Sequence, residues 1–550
     1  MKQTLLLLCL ASMSLKLFAQ KPIITNFYPL SGKPGTIVTI TGSNFNSNSA
    51  NNIVFMGATK ATVTMASSNA LTVTVPIGAT YGPIRVTNMS NFLNGISANN
   101  FIPTFSPSKG APVMVTDFLL HQDFNTPAQH KNIFIQDIDG DGKGDLVSTN
   151  SVFSNTISIY RNISTNGTVA FDNGVQFLGG NYMNDIAIGD LDNDGKPDII
   201  TACEDNKITF IRNLSTPGTI SFSSTGEFAA YYHHKTIVLS DLDLDGKPEV
   251  IVPDQNGNIN IHQNTSTPGN ISANTLLLQN WLPTPTQTVA VTAGDLNGDG
   301  KPELVSVSDD FSLAIFKNNA GPGVPFTSTM IPDTSFSISM KPIQVTLGDL
   351  DGDEKMDIII TSNSNSNLAI FRNNSNGNGK STFDPEFTLT GFADTKPVLS
   401  DLNGDGKLEI LVPHPYNNKL IILSNQSEPG VLDATSFSRI EIPTAVSPVV
   451  TAAGDLDGDH KPELITGNSA WLQYSFSVMK NNMVPVASPR NALHFDGIND
   501  MVELPFSLAS AATASSNNAI TIEYWFKGSS LQSAVRFQDG NYIVAGWNNK

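Results

Sequence analysis

The sequence is poor in cysteine, in charged residues and in long apolar runs, and each shortage excludes a class of protein. Only two of the 550 residues are cysteines, Cys9 and Cys203, so a disulfide framework is excluded. No segment approaches the roughly 18 uninterrupted apolar residues of a membrane-spanning helix, and no transmembrane segment is expected. Charged residues make up 15% of the chain, with a formal net charge of −18. This acidity argues against a nucleic-acid partner, which requires a basic surface.

The chain is rich in residues that form turns. It contains 42 Gly and 32 Pro, and Asn, Ser and Thr are abundant between short apolar stretches. This composition is typical of all-β proteins with many short strands. Because single domains usually contain about 100–200 residues, the length predicts several domains.

The first 19 residues have the pattern of a secretory signal peptide. Lys2 precedes an apolar run from Leu5 to Leu10, and Ala19 precedes the predicted cleavage point. A lipoprotein anchored through Cys9 is the alternative, but Leu8 stands where a small residue is expected. We therefore expect a secreted protein, extracellular or at the cell surface.

A nine-residue acidic motif organises the middle of the chain. Its seven copies are DIDGDGKGD, DLDNDGKPD, DLDLDGKPE, DLNGDGKPE, DLDGDEKMD, DLNGDGKLE and DLDGDHKPE, and successive copies are 53, 51, 54, 54, 52 and 54 residues apart. Four short strand-like segments fit into each interval. A period near 50 residues is typical of propeller blades, and the motif predicts a closed seven-bladed ring. We expect residues 113–120 to supply the strand that completes the last blade and closes the ring.

The motif has the spacing of a calcium-binding loop. Oxygen-bearing side chains stand at positions 1, 3, 5 and 9, and the backbone carbonyl of the lysine at position 7 can supply a further ligand, as a hard cation requires. The predicted ligands are Asp137, Asp139, Asp141, Lys143 and Asp145; Asp190, Asp192, Asp194, Lys196 and Asp198; Asp241, Asp243, Asp245, Lys247 and Glu249; Asp295, Asn297, Asp299, Lys301 and Glu303; Asp349, Asp351, Asp353, Lys355 and Asp357; Asp401, Asn403, Asp405, Lys407 and Glu409; and Asp455, Asp457, Asp459, Lys461 and Glu463.

The distribution of charge agrees with bound cations. The seven loops carry 27 acidic residues and seven lysines, whereas the rest of the chain has 22 acidic and 24 basic residues. Up to seven structural Ca²⁺ ions are therefore expected, all on one side of the ring. The fifth and seventh loops have Glu354 and His460 where the others have glycine at a sharp turn, so these two are expected to bind most weakly.

These loops resemble the FG-GAP/VCBS repeats of integrin-α-like seven-bladed propellers over residues 113–482, and the resemblance implies structural calcium. Residues 21–103 resemble an IPT/TIG domain, an immunoglobulin-like sandwich, and a linker is expected at 104–112. The residues that carry this second resemblance are Pro22, Pro29, Ser31, Gly32, Gly35, Gly42, Phe45, Gly57 and Pro76.

Beyond a second predicted linker at 483–490, residues 491–550 are similar to the first strands of a LamG-like (concanavalin-type) jelly roll. A complete sandwich of this kind needs well over about 100 residues. We therefore interpret the segment as truncated, with the protein continuing past residue 550.

Two functions remain open. The first is a secreted, calcium-stabilised, non-enzymatic adhesion or binding protein, expected to be monomeric and to contact extracellular protein or glycan ligands. The second is a set of non-catalytic modules of an extracellular polysaccharide-active enzyme, a lyase or hydrolase. The loop carboxylates could instead act as acid/base pairs, as in glycoside hydrolysis, but seven near-identical copies favour a structural metal. No catalytic residue is assigned, because the sequence has no H-E-x-x-H, G-x-S-x-G or phosphate-loop motif, and His233 and His234 have no partner at zinc-ligand spacing. Trp281 and Trp471 are expected in the core, with sugar stacking as the alternative, and Cys203 is expected to be a buried, inert thiol.

Overall fold

The structure is a computed structural model of the chain. It describes residues 20–105 and 111–483, apart from 151–154, 166, 224–225, 230–235, 285, 322–327, 363–365, 378, 393–394 and 471–472. The described residues form strands joined by turns and short 3₁₀ segments, without an α-helix, so the all-β prediction is confirmed. Nothing in this part of the chain is a helix of the length and apolarity needed to cross a membrane. The predicted signal peptide and the LamG-like segment lie outside the described residues.

The N-terminal residues form an immunoglobulin-like sheet structure of eight strands. In β4 and β6, buried residues alternate with partly buried ones, as in a half-buried sheet. Val38, Ile40, Leu71, Val73 and Ile84 are fully buried in its core. The strands are β1 (Ile23–Tyr28), β2 (Ser31–Gly32), β3 (Ile37–Ser43), β4 (Asn52–Met56), β5 (Thr59–Ala66), β6 (Ala70–Thr74), β7 (Gly82–Asn88) and β8 (Leu93–Pro103), in the order β1-β3-β6-β5-β4-β7-β8-β2. We call this part the sandwich.

The remaining described strands form seven four-stranded antiparallel blades, which confirms the predicted seven-bladed propeller. The first three blades are β10 (His130–Gln136), β11 (Asp145–Asn150), β12 (Thr156–Tyr160) and β13 (Val175–Leu178); β14 (Met183–Gly189), β15 (Asp198–Cys203), β16 (Lys207–Ile211) and β17 (Gly226–Ala229); and β18 (Val238–Ser240), β19 (Glu249–Pro253), β20 (Asn258–Asn264) and β21 (Leu276–Pro283). The next three are β22 (Thr288–Gly294), β23 (Glu303–Ser308), β24 (Ser312–Asn318) and β25 (Met330–Ser337); β26 (Pro342–Gly348), β27 (Asp357–Ser362), β28 (Asn367–Phe371) and β29 (Phe387–Thr390); and β30 (Val398–Ser400), β31 (Glu409–His414), β32 (Lys419–Asn425) and β33 (Phe437–Pro443). The seventh contains β34 (Pro448–Gly454), β35 (Glu463–Ala470), β36 (Gln473–Met479) and β9 (Gln122–Asn125).

The core of the ring lies between neighbouring blades. The second strand of a blade is covered on both faces, and in β27, with the sequence DIIITS, every residue is buried. One apolar cluster joins Val305 and Val307 of the fourth blade to Ile358 and Ile360 of the fifth. Because each blade buries its faces only against its neighbours, stability requires that the ring be closed.

Ring closure uses a different strand from the one predicted. The outer strand of the seventh blade is β9, which pairs with β36, and the ring of Phe124 stacks on that of Phe476 at 4.9 Å between centroids. The prediction of residues 113–120 as this strand is therefore wrong. That segment forms a 3₁₀ turn, and Val113 and Phe118 are drawn into an apolar cluster with the sixth blade. Residues 117–119 contact the chain just beyond β36 through an isolated bridge between Phe118 and Asn481 and two neighbouring backbone hydrogen bonds, and Leu120 is 93% exposed.

Replacing Phe124 with alanine is expected to weaken the closure of the ring. The change removes the stacked pair with Phe476 and part of the buried apolar area at the seam, which predicts a loss of about 2–4 kcal/mol. Leu120→Ala, in the segment first predicted to close the ring, is the matched control and should leave the melting temperature unchanged. Equal melting temperatures for both variants would contradict β9 as the closing strand.

Candidate metal centres

The seven acidic loops lie on one face of the ring, since each connects the first and second strands of its blade. In five of them, three acidic side chains place ligand atoms within 4.8 Å of one another. The remaining two loops have an asparagine, Asn297 or Asn403, at position 3. The five groups are Asp137, Asp139 and Asp145; Asp190, Asp192 and Asp194; Asp241, Asp243 and Asp245; Asp349, Asp351 and Asp353; and Asp455, Asp457 and Glu463.

Backbone N–H groups of each loop donate hydrogen bonds to the loop's own acidic side chains and so hold it in a tight turn. In the fourth loop, Asp295 accepts from the N–H groups of Gly298 (2.8 Å) and Gly300 (2.7 Å). The side chain of Asn297 accepts from the N–H of Asp299 at 3.0 Å. The residue at position 5 accepts from the lysine N–H in every loop, as in Asp299 and Lys301 at 3.0 Å. The alternate residues of the motif therefore converge because their own side chains hold the turn.

The carboxylate at position 9 ties the loop to the blade. Asp145 is fully buried, and its two oxygens accept from the N–H groups of Ile138 and Asn162, both at 2.9 Å. In the first and seventh loops this carboxylate belongs to the acidic group. In the second, third and fifth loops the group consists of positions 1, 3 and 5 instead. The structure thus brings the predicted ligands together in two arrangements.

In most loops whose lysine Nζ has a hydrogen bond, that bond is to a group outside the loop. The Nζ atoms of Lys143 and Lys196 donate to backbone carbonyls of Ser164 (2.7 Å) and Ser215 (2.8 Å). In the fifth loop, however, Lys355 Nζ lies 3.2 Å from Asp353 Oδ2. Each lysine carbonyl as a ligand stays a prediction.

Burial and mutual repulsion make these carboxylates costly to ionise. Burial, followed by the charge of Asp141, raises the pKa of Asp137 to about 7. The pKa of Asp145 is raised to about 8, mainly by burial, and burial and neighbouring carboxylates raise that of Asp455 to about 7. A cation held among these groups would relieve both costs.

Three buried carboxylate oxygens in the acidic groups have no hydrogen-bond partner among the residues that the structure describes: Asp190 Oδ1, Asp241 Oδ1 and Glu463 Oε1. Leaving such an acceptor unsatisfied costs about 1–3 kcal/mol. An oxygen-only set of ligands with unused buried oxygens fits a hard divalent cation. The residues present therefore fit the predicted metal.

Basic side chains just beyond the third strand of the blade partly neutralise three of the loops. Arg372 places Nε 2.6 Å from Asp351 Oδ2 and Nη2 2.7 Å from Asp353 Oδ2 in the fifth loop. Arg212 makes the equivalent pair of contacts in the second loop, and Lys480 contacts the seventh. These basic side chains contact the loop from outside it and were not predicted from the sequence.

A ring of buried asparagines, which was not predicted from the sequence, joins neighbouring blades. Each stands at or just beyond the end of a third strand and is 0–1% exposed. Its side-chain N–H₂ group donates, at 2.7–3.0 Å, to the backbone carbonyl at position 2 of the loop in the preceding blade. The pairs are Asn213 to Ile138, Asn264 to Leu191, Asn318 to Leu242, Asn373 to Leu296, Asn425 to Leu350, Asn481 to Leu402 and Asn162 to Leu456. The signal was available as an Asn-x-Ser triplet in five of the seven blades.

Two positions of the loop require a left-handed backbone. Position 6 has φ of 90° at Gly142, and Glu354 (67°) and His460 (75°) adopt the same conformation without being glycine. Position 4 is also left-handed, and in the third loop it is Leu244, with φ of 62°. The structure therefore adds the third loop to the two that the sequence marked as strained.

Replacing Glu354 with glycine is expected to stabilise the fifth loop. A left-handed residue with a Cβ costs about 1–2 kcal/mol, and the entropy of glycine offsets part of that gain, leaving about 0.5–1 kcal/mol. Thermal unfolding at saturating calcium measures it. The reverse change, Gly352→Ala at φ of 73°, leaves an added Cβ with no neighbour within 4 Å and tests strain alone. A destabilised Glu354→Gly variant would contradict this account.

Two further expectations concern single residues. Cys203 is fully buried, as predicted. Trp281 was expected in the core, but this is wrong, because it is 62% exposed on β21, the outermost strand of the third blade. His233, His234 and Trp471 lie outside the described residues.

Comparison with known protein families agrees with this geometry. The FG-GAP-like repeat matches residues 137–201, 190–252, 241–306, 295–360, 349–412 and 401–466. The chain belongs to the FG-GAP-like repeat family. The IPT/TIG domain matches residues 22–106 of this FG-GAP-like protein, which covers the sandwich. No curated protein matches the chain, and the LamG-like resemblance of residues 491–550 stays a prediction.

Several solved structures are similar to this FG-GAP-like protein in fold. A crystal structure of BBS1N in complex with ARL6DN has 12% identity and a TM-score of 0.44, covering 67% of this chain and 98% of that chain. An auxiliary nutrient binding protein from Bacteroides thetaiotaomicron has 12% identity and a TM-score of 0.33, covering 84% and 98%. Polycomb Repressive Complex 2 from Chaetomium thermophilum, bound to GSK126, has 8% identity and a TM-score of 0.45, covering 66% and 98%. Likeness at this level carries no argument about function.

Proposed function

We propose that this FG-GAP-like repeat protein is a secreted, non-enzymatic adhesion or binding protein whose propeller is stabilised by up to seven Ca²⁺ ions. The observation that carries the proposal is the set of partly or fully buried acidic groups on one face of the ring, in which three carboxylate oxygens have no donor among the described residues. Calcium accepts six to eight oxygen ligands in flexible geometry, which suits loops whose acidic groups differ in arrangement.

A structural role for the ions follows from what the loops are attached to. The carbonyl of Ile138 in the first loop is held by Asn213 of the next blade, and the loop carboxylate Asp145 binds the start of the turn and the end of the third strand. An ion that orders the loop therefore also orders the joint between two blades. In an exported chain whose one remaining cysteine is buried, metal ions take the place that disulfides have in other extracellular proteins.

The partner is expected to be an extracellular protein or glycan, bound by exposed aromatic and polar side chains. Trp281 is 62% exposed and Tyr416 is 79% exposed. An open groove of about 910 Å³ on the seventh blade is lined by His121, Asp123 and Tyr474, among others. Aromatic rings beside carboxylate and amide groups are suited to polar ligands with apolar faces, such as sugars.

Elemental analysis of the purified protein after dialysis against calcium tests the metal part of the proposal, with several ions per chain as the expected result. Binding to an extracellular glycan and protein array, compared between the wild type and Trp281→Ala, tests the contact surface. A matched panel of polysaccharide substrates should show no turnover. Absence of bound calcium would overturn the metal assignment, and turnover would favour the enzyme alternative.

A further inference from the structure

The sandwich lies against the face of the ring that carries the seven acidic loops. The N–H of Asp137, at position 1 of the first loop, donates to the carbonyl of Ala58 at 3.1 Å. The N–H of Asn94 donates to the carbonyl of Gly246, at position 6 of the third loop, at 3.0 Å. The sandwich is thus attached through backbone atoms of the loops themselves, whose positions depend on how the loops are ordered.

The second loop joins the same contact. The side-chain N–H₂ of Asn193 donates both to Phe92 of the sandwich, at 2.9 Å, and to Gly246 of the third loop, at 2.8 Å. Gly195 lies so close to the sandwich that an added Cβ would stand 2.2 Å from Ile53 Cδ1. Glycine at position 6 of the second loop is therefore needed for two reasons: the loop turns sharply there, and a side chain would clash with the sandwich.

One carboxylate of the third loop faces both the sandwich and the centre of the loop. Asp241 Oδ2 accepts from Lys21 Nζ at 2.6 Å and from the N–H of Gly246 at 3.1 Å. Its other oxygen, Oδ1, is buried without a hydrogen-bond partner in the described part of the chain, and Asp241 belongs to one acidic group with Asp243 and Asp245. A cation bound at Oδ1 and the ammonium of Lys21 would share this carboxylate.

The fourth loop provides an internal comparison. An added Cβ at Gly298 or Gly300 has no neighbour within 4 Å. No hydrogen bond or ion pair joins this loop to the sandwich among the described residues. The chain thus contains metal loops of the same sequence pattern with and without the sandwich contact.

We propose that docking of the sandwich onto the ring depends on metal in the first three loops, and that the docked sandwich in turn raises the metal affinity of those loops. The inference rests on the proposed function, because it requires ions in the loops. Without an ion, the clustered carboxylates repel one another and the backbone groups used by the sandwich lose their fixed positions. With an ion bound, these backbone groups are already ordered before the sandwich docks. The coupling is reciprocal by linkage.

Hydrogen exchange on the full chain at saturating calcium tests the first half of the proposal. Asp245→Asn weakens the third loop at position 5, where the side chain has no contact with the sandwich among the described residues. Asp299→Asn is the same change in the fourth loop. Exchange of the Asn94 amide is expected to rise about tenfold in Asp245→Asn and to stay at the wild-type rate in Asp299→Asn. Wild-type protection of Asn94 in both variants would overturn the proposal.

Calorimetric titration of calcium tests the reciprocal half. Ile53→Glu places a charge against the second loop, and Met65→Glu, at a residue 64% exposed on the sandwich, is its control. Ile53→Glu is expected to weaken a subset of the sites about tenfold, with the amides of Ile37–Ser43 still protected. Fast exchange of Asn94 with unchanged calcium affinity would overturn the coupling.

Calcium binding and Asn94 protection distinguish failure of the proposed function from failure of the coupling. A chain that binds no calcium loses both the proposed function and this inference. A chain that binds several ions and melts lower after chelation, but keeps Asn94 protected throughout, retains the proposed function and refutes only the coupling between the sandwich and the loops.

Discussion

Removal of calcium with EGTA is expected to lower the melting temperature of the protein by about 10 °C or more, and restored calcium should reverse the loss. A ligand that binds only the folded state stabilises it by about 2.7 kcal/mol per site at 100 times its dissociation constant. Several such sites lie in one cooperative ring. Differential scanning calorimetry with calcium, after EGTA and after readdition of calcium measures the effect.

The pH dependence of the stability of the metal-free protein distinguishes loss of bound calcium from a nonspecific effect of EGTA. The pKa values of Asp137, Asp145 and Glu303 are raised to about 7, 8 and 8, mainly by burial. A carboxylate whose folded pKa is raised contributes stability at low pH and loses it as pH rises toward the folded value. The metal-free protein should therefore be more stable at pH 5.5 than at pH 8.

With calcium present this order should be weaker or reversed, since the ion binds the ionised carboxylates. Ethylenediamine at equal ionic strength, which is a poor ligand for calcium, serves as the control for the chelator. An unchanged melting temperature in EGTA at both pH values would contradict a structural role for metal and require another partner for the buried carboxylates.

Replacing Asn213 with alanine is expected to destabilise the propeller by about 3 kcal/mol or more. The side chain donates to Ile138 at 2.8 Å and to Pro197 at 3.0 Å, and it accepts from the N–H of Ser215 at 2.8 Å. The substitution leaves these buried groups without partners, and each costs about 1–3 kcal/mol.

Because this asparagine joins two blades, the loss should appear in the cooperative unfolding of the whole ring. Chemical denaturation at saturating calcium measures it. Asn256→Ala, at an exposed position of the third blade, is the matched control and should change stability by less than about 0.5 kcal/mol. Similar midpoints for the two variants would show that the buried asparagines do not hold the blades together.

Much of the architecture was predictable because one sequence motif is repeated along the chain. Seven copies of one motif at intervals near 50 residues determine the number of blades, and the residue types within each copy determine an oxygen-only ligand set. Positions 1, 3 and 5 converge through hydrogen bonds to their own turn, as between Asp295 and Gly300. Interactions this local follow from the order of residues along the chain.

Other features depend on residues far apart in sequence, and only the tertiary structure decided them. The ring is closed by Phe124 against Phe476, whereas Val113 and Phe118 of the predicted segment are buried in an apolar cluster with the sixth blade. The Asn-x-Ser triplets have the form of glycan-acceptor sites, yet Asn213 is fully buried between blades. The strained conformation of Leu244 likewise became visible only in the backbone.

The sequence by itself therefore determined the number of blades, the acidic loops and their common face, because each of these follows from a short motif and its repetition. The tertiary structure decided which strand closes the ring, which side chains join neighbouring blades and where the sandwich lies. Each of those outcomes depends on the burial of groups that meet only after folding, for example Lys21 with Asp241, a pair separated by 220 residues.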